Sequence, residues 1–144
     1  MIYLDSSALL KLLVEEPESS ALASWISERL STPKVSSELA KVEVIRAARR
    51  LNARVVPAAR ALVSQLDLIP LSSGLIEEAG DVGTAALRSL DAIHLASALS
   101  IREALTAFVA YDYRLVAAAK TAGLGPKVLT ENAIGKGGHI KCSR

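Results

Sequence analysis

Short apolar runs alternate along this chain with longer segments whose apolar residues recur at helical spacing. Ile2-Tyr3-Leu4 predicts a strand ending at Asp5, and Ser6, Ser7 and the stretch Ala8 to Leu13 predict a helix directly after it. Pro17 and Glu18 open a second helix to about Leu30, with Ala21, Leu22, Trp25 and Ile26 on one face, and Pro33 breaks the chain. Val35 centres a very short strand. Ser36 and Ser37 are expected to cap a helix from Glu38 to Leu51, which Asn52 stops. A further helix runs from near Pro57 to Gln65, and Leu68-Ile69-Pro70-Leu71 predicts a strand whose proline suits a sheet edge. Ser72 or Ser73 then caps a helix to about Ala79, and the apolar segment after Ser89 predicts a helix continuing to about Ala104. Ala107-Phe108-Val109-Ala110 is the clearest buried strand and ends in Tyr111-Asp112. A helix to Thr121 with Gly123 as its left-handed cap follows, and Val128-Leu129 is the expected last strand.

This alternation predicts an α/β fold, one parallel sheet of about five strands with helices on both faces. No repeat or linker divides the 144 residues, so residues 1–134 are expected to form one domain. Residues 135–144, with Gly135, Gly137 and Gly138 among Lys136, Lys141 and Arg144, make a basic glycine-rich tail expected to be flexible.

Charge changes the picture little: 17 Lys and Arg stand against 15 Asp and Glu, a net +2. That balance excludes a polybasic protein, so any nucleic-acid binding has to come from local clusters. Five aromatics, Tyr3, Trp25, Phe108, Tyr111 and Tyr113, are too few for a base-stacking platform. The single cysteine, Cys142, allows neither an internal disulfide nor a thiolate zinc site and points to the reducing cytoplasm. No apolar stretch is long enough to span a membrane, and the start carries no signal-peptide pattern.

In a parallel α/β sheet, ligands gather at the carboxyl ends of the strands, where Asp5 and Asp112 fall. Each also precedes a helix, so an N-cap explains either one equally simply. Asp91 stands in the first turn of an apolar helix, where an acid complements the dipole, and Glu43 sits mid-helix, where a lone glutamate is ordinarily solvated. Taken together, four dispersed carboxylates without a cysteine or histidine cluster form an oxygen donor set of the kind that Mg2+ or Mn2+ takes, and a cation would relieve their repulsion.

Asp5-Ser6-Ser7-Ala8-Leu9 resembles the opening motif of the PIN-domain ribonucleases. The segment from Arg88 to Leu99, with Asp91-Ala92-Ile93-His94 at its centre, resembles their most recognisable block. Phe108 to Leu115 with Ala118 to Leu124 is similar to the late strand and helix, and Val35-Ser36-Ser37 with Val42 to Ala47 to the remaining acidic motif. The four follow in family order over about Met1 to Leu129, and the length is most like the VapC toxins of toxin–antitoxin pairs. The resemblance implies that Asp5, Glu43, Asp91 and Asp112 are the catalytic and metal-binding acids, with Ser6 a polar helper beside Asp5. It also implies a homodimer and a VapB-like antitoxin partner, and it leaves the basic tail unexplained.

The expected activity is hydrolysis of RNA by an Mg2+- or Mn2+-dependent endoribonuclease, giving 5′-phosphate and 3′-hydroxyl ends. Arg46, Arg49, Arg50 and Arg54 are candidates for RNA phosphates or a solvated face, and Lys11 is a weaker candidate. Glu38 competes with Glu43 and ranks second to it, and His94 reads as a core or groove-edge residue, with a catalytic histidine the alternative. A haloacid-dehalogenase phosphatase would need an aspartate where Ser7 stands. A PIN-fold binding module without catalysis, and a processing nuclease with no antitoxin, are the rival functions.

Overall fold

The computed structural model describes residues 1–127. Five parallel strands are β1 (Ile2–Leu4), β2 (Lys34–Ser37), β3 (Asp67–Ile69), β4 (Ala107–Val109) and β5 (Pro126–Lys127), in the order β3-β2-β1-β4-β5. Seven helices connect them: α1 (Ser6–Leu13), α2 (Ser19–Ser27), α3 (Leu39–Leu51), α4 (Val56–Ser64), α5 (Ser73–Asp81), α6 (Ser89–Ser100) and α7 (Tyr113–Thr121). The α/β expectation of about five parallel strands holds.

Strand alternation divides the core. Ile2 and Leu4 of β1 and Ala107 and Val109 of β4 face one side, where they pack with Leu9, Leu22, Trp25, Val44 and Val63. Tyr3 and Phe108 face the other, against Leu95, Leu115 and Ala119. The pairing Tyr3 to Phe108 stacks the two rings at 5.3 Å. Burial on both faces explains why β1 and β4 read as unbroken apolar runs. A smaller cluster of Leu75, Ala79, Ala92 and Ala96 joins α5 to α6.

From β1 the chain steps outward through β2 to β3, then returns to the opposite flank at β4. The crevice between β1 and β4 is therefore the topological switch point, where open α/β sheets bind ligands beyond the carboxyl ends of the strands. The Asp5 N–H donates to the Val109 carbonyl at 3.1 Å, locking those two ends together.

Several elements differ from expectation. Ser36 and Ser37 lie within β2; Ser37 Oγ still accepts the Leu39 N–H at the start of α3 at 3.2 Å, whereas the Ser36 hydroxyl donates to the Leu4 carbonyl at 2.7 Å, satisfying a buried acceptor on β1. The second helix starts at Ser19 and stops at Ser27, short of Leu30. β3 ends at Ile69, before Pro70, and is an edge strand, so the proline forfeits no ladder bond. The helix after Ser89 ends at Ser100, and a separate 3-10 turn covers Arg102–Ala104. β5 pairs Pro126 and Lys127 with Phe108 and Val109, while the expected strand at Val128-Leu129, the boundary at 134 and the 135–144 tail fall outside the described residues.

Candidate active site

Asp5 is both a helix cap and a groove acid. It is 3% exposed, caps α1 by accepting the Ala8 N–H at 2.9 Å, and takes the Ser7 hydroxyl at 2.6 and 2.9 Å on its two oxygens. The same Ser7 oxygen accepts the Tyr111 N–H at 2.9 Å, which ties the turn after β1 to the loop after β4. Asp112 caps α7 through one oxygen, Oδ1, which accepts the N–H groups of Arg114 and Leu115 at 2.9 and 3.1 Å. Asp91 lies in the first turn of α6. The N-termini of three helices thus carry acids toward one crevice.

Glu43 comes from mid-α3, with Ala40, Val44 and Ala48 buried on the same helix. Its Oε1 receives the Ser6 hydroxyl at 2.6 Å and lies 2.6 Å from Nε2 of His94. Ser6 Oγ is itself 3.2 Å from that nitrogen. The sequence sets Ser6 beside Asp5; in the fold, the hydroxyl that serves Asp5 is that of Ser7, and Ser6 serves Glu43. Adjacent residues at the start of a helix point in different directions, so the two serines serve different acids.

The acids are unlike electrostatically. Burial pushes the Asp5 carboxyl up to about 6, against the opposing effects of His94, Ser7 and the Ala8 N–H, and Glu43 adds to the rise. Asp91 is raised by burial and then by Asp112, with Glu43 contributing and His94 and Arg88 opposing. For Glu43, burial is outweighed by the hydrogen bond and charge of His94 and by Ser6, so its carboxyl sits below the ordinary value. Asp5 thus lies in the field of Glu43, and Asp91 in the fields of Asp112 and Glu43. Environments that push carboxyl groups apart in this way separate their roles.

Among the described residues, no three His, Cys, Asp or Glu side chains are grouped so as to hold one metal ion as they stand. The chemistry of the donor set still fits a hard divalent cation: the groove offers carboxylate oxygens, and its acids destabilise one another's charge. A mostly apolar recess of about 500 Å3 between α6, α7 and residues 83–87, lined by Leu87, Leu95, Ala117 and Ala118 with Thr84, Arg114 and Thr121, contains none of these acids.

Arg46, Arg49 and Arg50 are exposed, line a recess of about 190 Å3, and pair with no described carboxylate. Arg46 and Arg50 follow Glu43 at three and seven residues, on one stripe of α3. Lys11 is a correction: its ammonium pairs with Glu16 and with Glu18 at 2.8 Å, lies 4.8 Å from the Tyr111 ring centroid, and its side chain is 12% exposed. It clamps the α1–α2 connection and is not a free cation for phosphate. Glu38 accepts the Leu71 N–H at 3.2 Å on one oxygen and faces Lys41 with the other. His94 is buried as a core residue, yet both of its ring nitrogens meet polar groups, Tyr3 on one side and Ser6 and Glu43 on the other.

The PIN domain family model matches residues 2–121. Ribonuclease VapC47 of Mycobacterium tuberculosis (strain CDC 1551 / Oshkosh) is 43% identical over 126 residues, covering 85% of this chain and 93% of that protein. Ribonuclease VapC46 of the H37Rv strain is 43% identical over 123 residues, with the same coverages. Among solved structures, VapBC2 from Rickettsia felis bound to a DNA fragment from their promoter aligns with a TM-score of 0.64 at 12% identity, covering 88% of this chain and 98% of that one. VapBC-1 from nontypeable Haemophilus influenzae aligns at 0.60 and 16% identity, covering 88% and 97%. These last two establish likeness of fold.

Proposed function

Since this chain belongs to the PIN-domain family, among the VapC-type ribonucleases, we propose that it is the ribonuclease toxin of a toxin–antitoxin pair and cuts RNA with the help of Mg2+ or Mn2+. The observation that carries this reading is that Asp5 and Asp112 cap the helices that follow β1 and β4, the strands flanking the switch-point crevice, with Ser7 bonded to both Asp5 and the Tyr111 N–H and Ser6 of the same helix bonded to Glu43, while Asp91 feels the charges of Asp112 and Glu43.

Asp5, Asp91, Asp112 and Glu43 are the residues that would hold the cation. When bound, it supplies a Lewis acid that acidifies water and offsets phosphodiester charge. Asp5 and Asp112 are held by backbone N–H groups at helix starts, so their orientation is set before RNA arrives. Glu43, kept anionic by His94 and Ser6, is the acid best suited to hold the charge of a cation. Attack by water, with the ribose 2′-hydroxyl a bystander, leaves 5′-phosphate and 3′-hydroxyl ends. Arg46 and Arg50 continue the stripe of Glu43 and can hold flanking phosphates, with Arg49 beside them. The fold neighbours are VapBC structures, which supports a small VapB-like antitoxin as partner; homodimerisation is part of the same reading. No helix among the described residues is long and apolar enough to cross a membrane.

Brief induction of the wild-type chain, followed by mapping of RNA ends, tests this. New 5′-phosphate ends and growth arrest, absent with Asp91→Asn and relieved by co-expressing the VapB-like product of a gene that neighbours this one, are expected. Arrest without new RNA ends overturns the nuclease reading; arrest that the neighbour does not relieve overturns the pairing.

A further inference from the structure

A chain of hydrogen bonds runs through the core to the groove. The Ser37 N–H reaches the Tyr3 hydroxyl oxygen at 3.1 Å, and that oxygen lies 2.7 Å from Nδ1 of His94. Nε2 of the same ring lies 2.6 Å from Oε1 of Glu43, where the Ser6 hydroxyl also arrives. The Nε2–H donates to Glu43 whether the ring is neutral or charged, while Ser37 donates to Tyr3 and Tyr3 shares a hydrogen with Nδ1. Tyr3 is fully buried and His94 is 2% exposed, so both rings are fixed by packing, Tyr3 by its stack on Phe108 and its edge contact to His94 at 5.9 Å.

A buried imidazole and phenol cost free energy unless partnered, and an apolar side chain would fill the same volume without needing a chain of donors. What the chain achieves lies at its end. Both donors to Glu43 fall on Oε1, and Oε2 receives no hydrogen bond from any described residue. We propose that His94 is a positioning residue: held by Tyr3, it fixes the rotamer of Glu43 so that Oε2 is presented to the groove as a cation ligand. This rests on the cation-dependent reading above and assigns His94 no contact with RNA.

Two replacements separate positioning from packing, because each amide mimics a different ring nitrogen. His94→Asn keeps an acceptor near the Nδ1 position for Tyr3 and loses the donor to Glu43; His94→Gln places an amide donor near the Nε2 position. Mn2+ binding to the purified proteins is followed by calorimetry and by loss of the free-ion paramagnetic resonance signal, with thermal melts to establish folding and Asp5→Asn as the ligand control. Losing an outer partner of a metal ligand ordinarily weakens affinity by about 10- to 100-fold. His94→Asn is expected in that range, with His94→Gln restored to within about threefold of wild type. Equal weakening in both replacements, or wild-type affinity in folded His94→Asn, overturns the proposal. If His94→Asn does not fold, Tyr3→Phe takes its place, expected to weaken Mn2+ several-fold by freeing the ring; unchanged affinity there overturns it equally. Wild-type protein that binds no Mn2+ overturns the cation reading as well, whereas wild-type binding matched by the variants overturns the role of His94 alone.

Discussion

Replacing Asp5 by Asn removes a buried charge while keeping a side-chain oxygen for the Ala8 N–H, so the cap of α1 survives. In the cation-free protein the Asp5 carboxyl is moved from 3.8 to about 6, chiefly by burial. The folded chain therefore holds a proton that the unfolded chain has released, and stability contributed by that proton is complete below about pH 4 and lost as pH rises to about 6. At 1.36 kcal/mol per tenfold difference in proton affinity, the loss is about 3 kcal/mol, on the order of 10 °C in melting temperature for a domain of this size. Asp91, also raised, acts in the same direction; Glu43, lowered, acts oppositely and loses its contribution as pH falls. Both persist in the variant, so the difference between the two proteins reports Asp5 together with its coupling to Glu43. Urea unfolding in chelator from pH 4 to 8 should give an Asp5→Asn advantage that grows by about 3 kcal/mol up to pH 6–7 and then stays flat. Parallel curves would refute the argument, because they would mean that Asp5 carries no unfavourable charge in the folded chain.

Replacing Arg46, Arg49 and Arg50 together by Ala should weaken RNA binding at low salt and reduce the slope of log K against log salt by about 0.7 for each phosphate no longer held; an unchanged slope in filter-binding titrations removes this face from the RNA site. Lys11→Met should lower stability by about 1 kcal/mol, since it leaves Glu16 and Glu18 unpaired while keeping most of the buried stem, and should leave the salt slope alone. A fall in that slope would return Lys11 to the RNA site.

The apolar run, carboxylate and helix after each of two strands make Asp5 and Asp112 legible, because in a parallel sheet the end of a buried strand is also where the chain reaches the ligand crevice. Which hydroxyl serves which acid is not legible: Ser6 and Ser7 are adjacent, and only the position of α3 decides that the first meets Glu43. Lys11 shows the same limit, since its partners Glu16 and Glu18 come within reach only through the turn between α1 and α2. Ser36 misleads because a serine before a helix pattern resembles a cap, whereas pairing with β1 and β3 claims the backbone of β2 for the sheet. His94, three residues after Asp91, gives a helical-face signal, but its partners Tyr3 and Glu43 lie 91 and 51 residues away in sequence. Contacts of that range are set by topology.

Cleavage of an end-labelled cellular RNA pool by the purified chain, with Mg2+, with Mn2+ and with chelator, alongside Asp91→Asn, tests the central claim most directly. Metal-dependent products bearing 5′-phosphate and 3′-hydroxyl ends, abolished by chelator and by a folded Asp91→Asn protein, are the predicted result. Cleavage that persists in chelator, products ending in 2′,3′-cyclic phosphate, or RNA that is bound but left intact under every condition would contradict it.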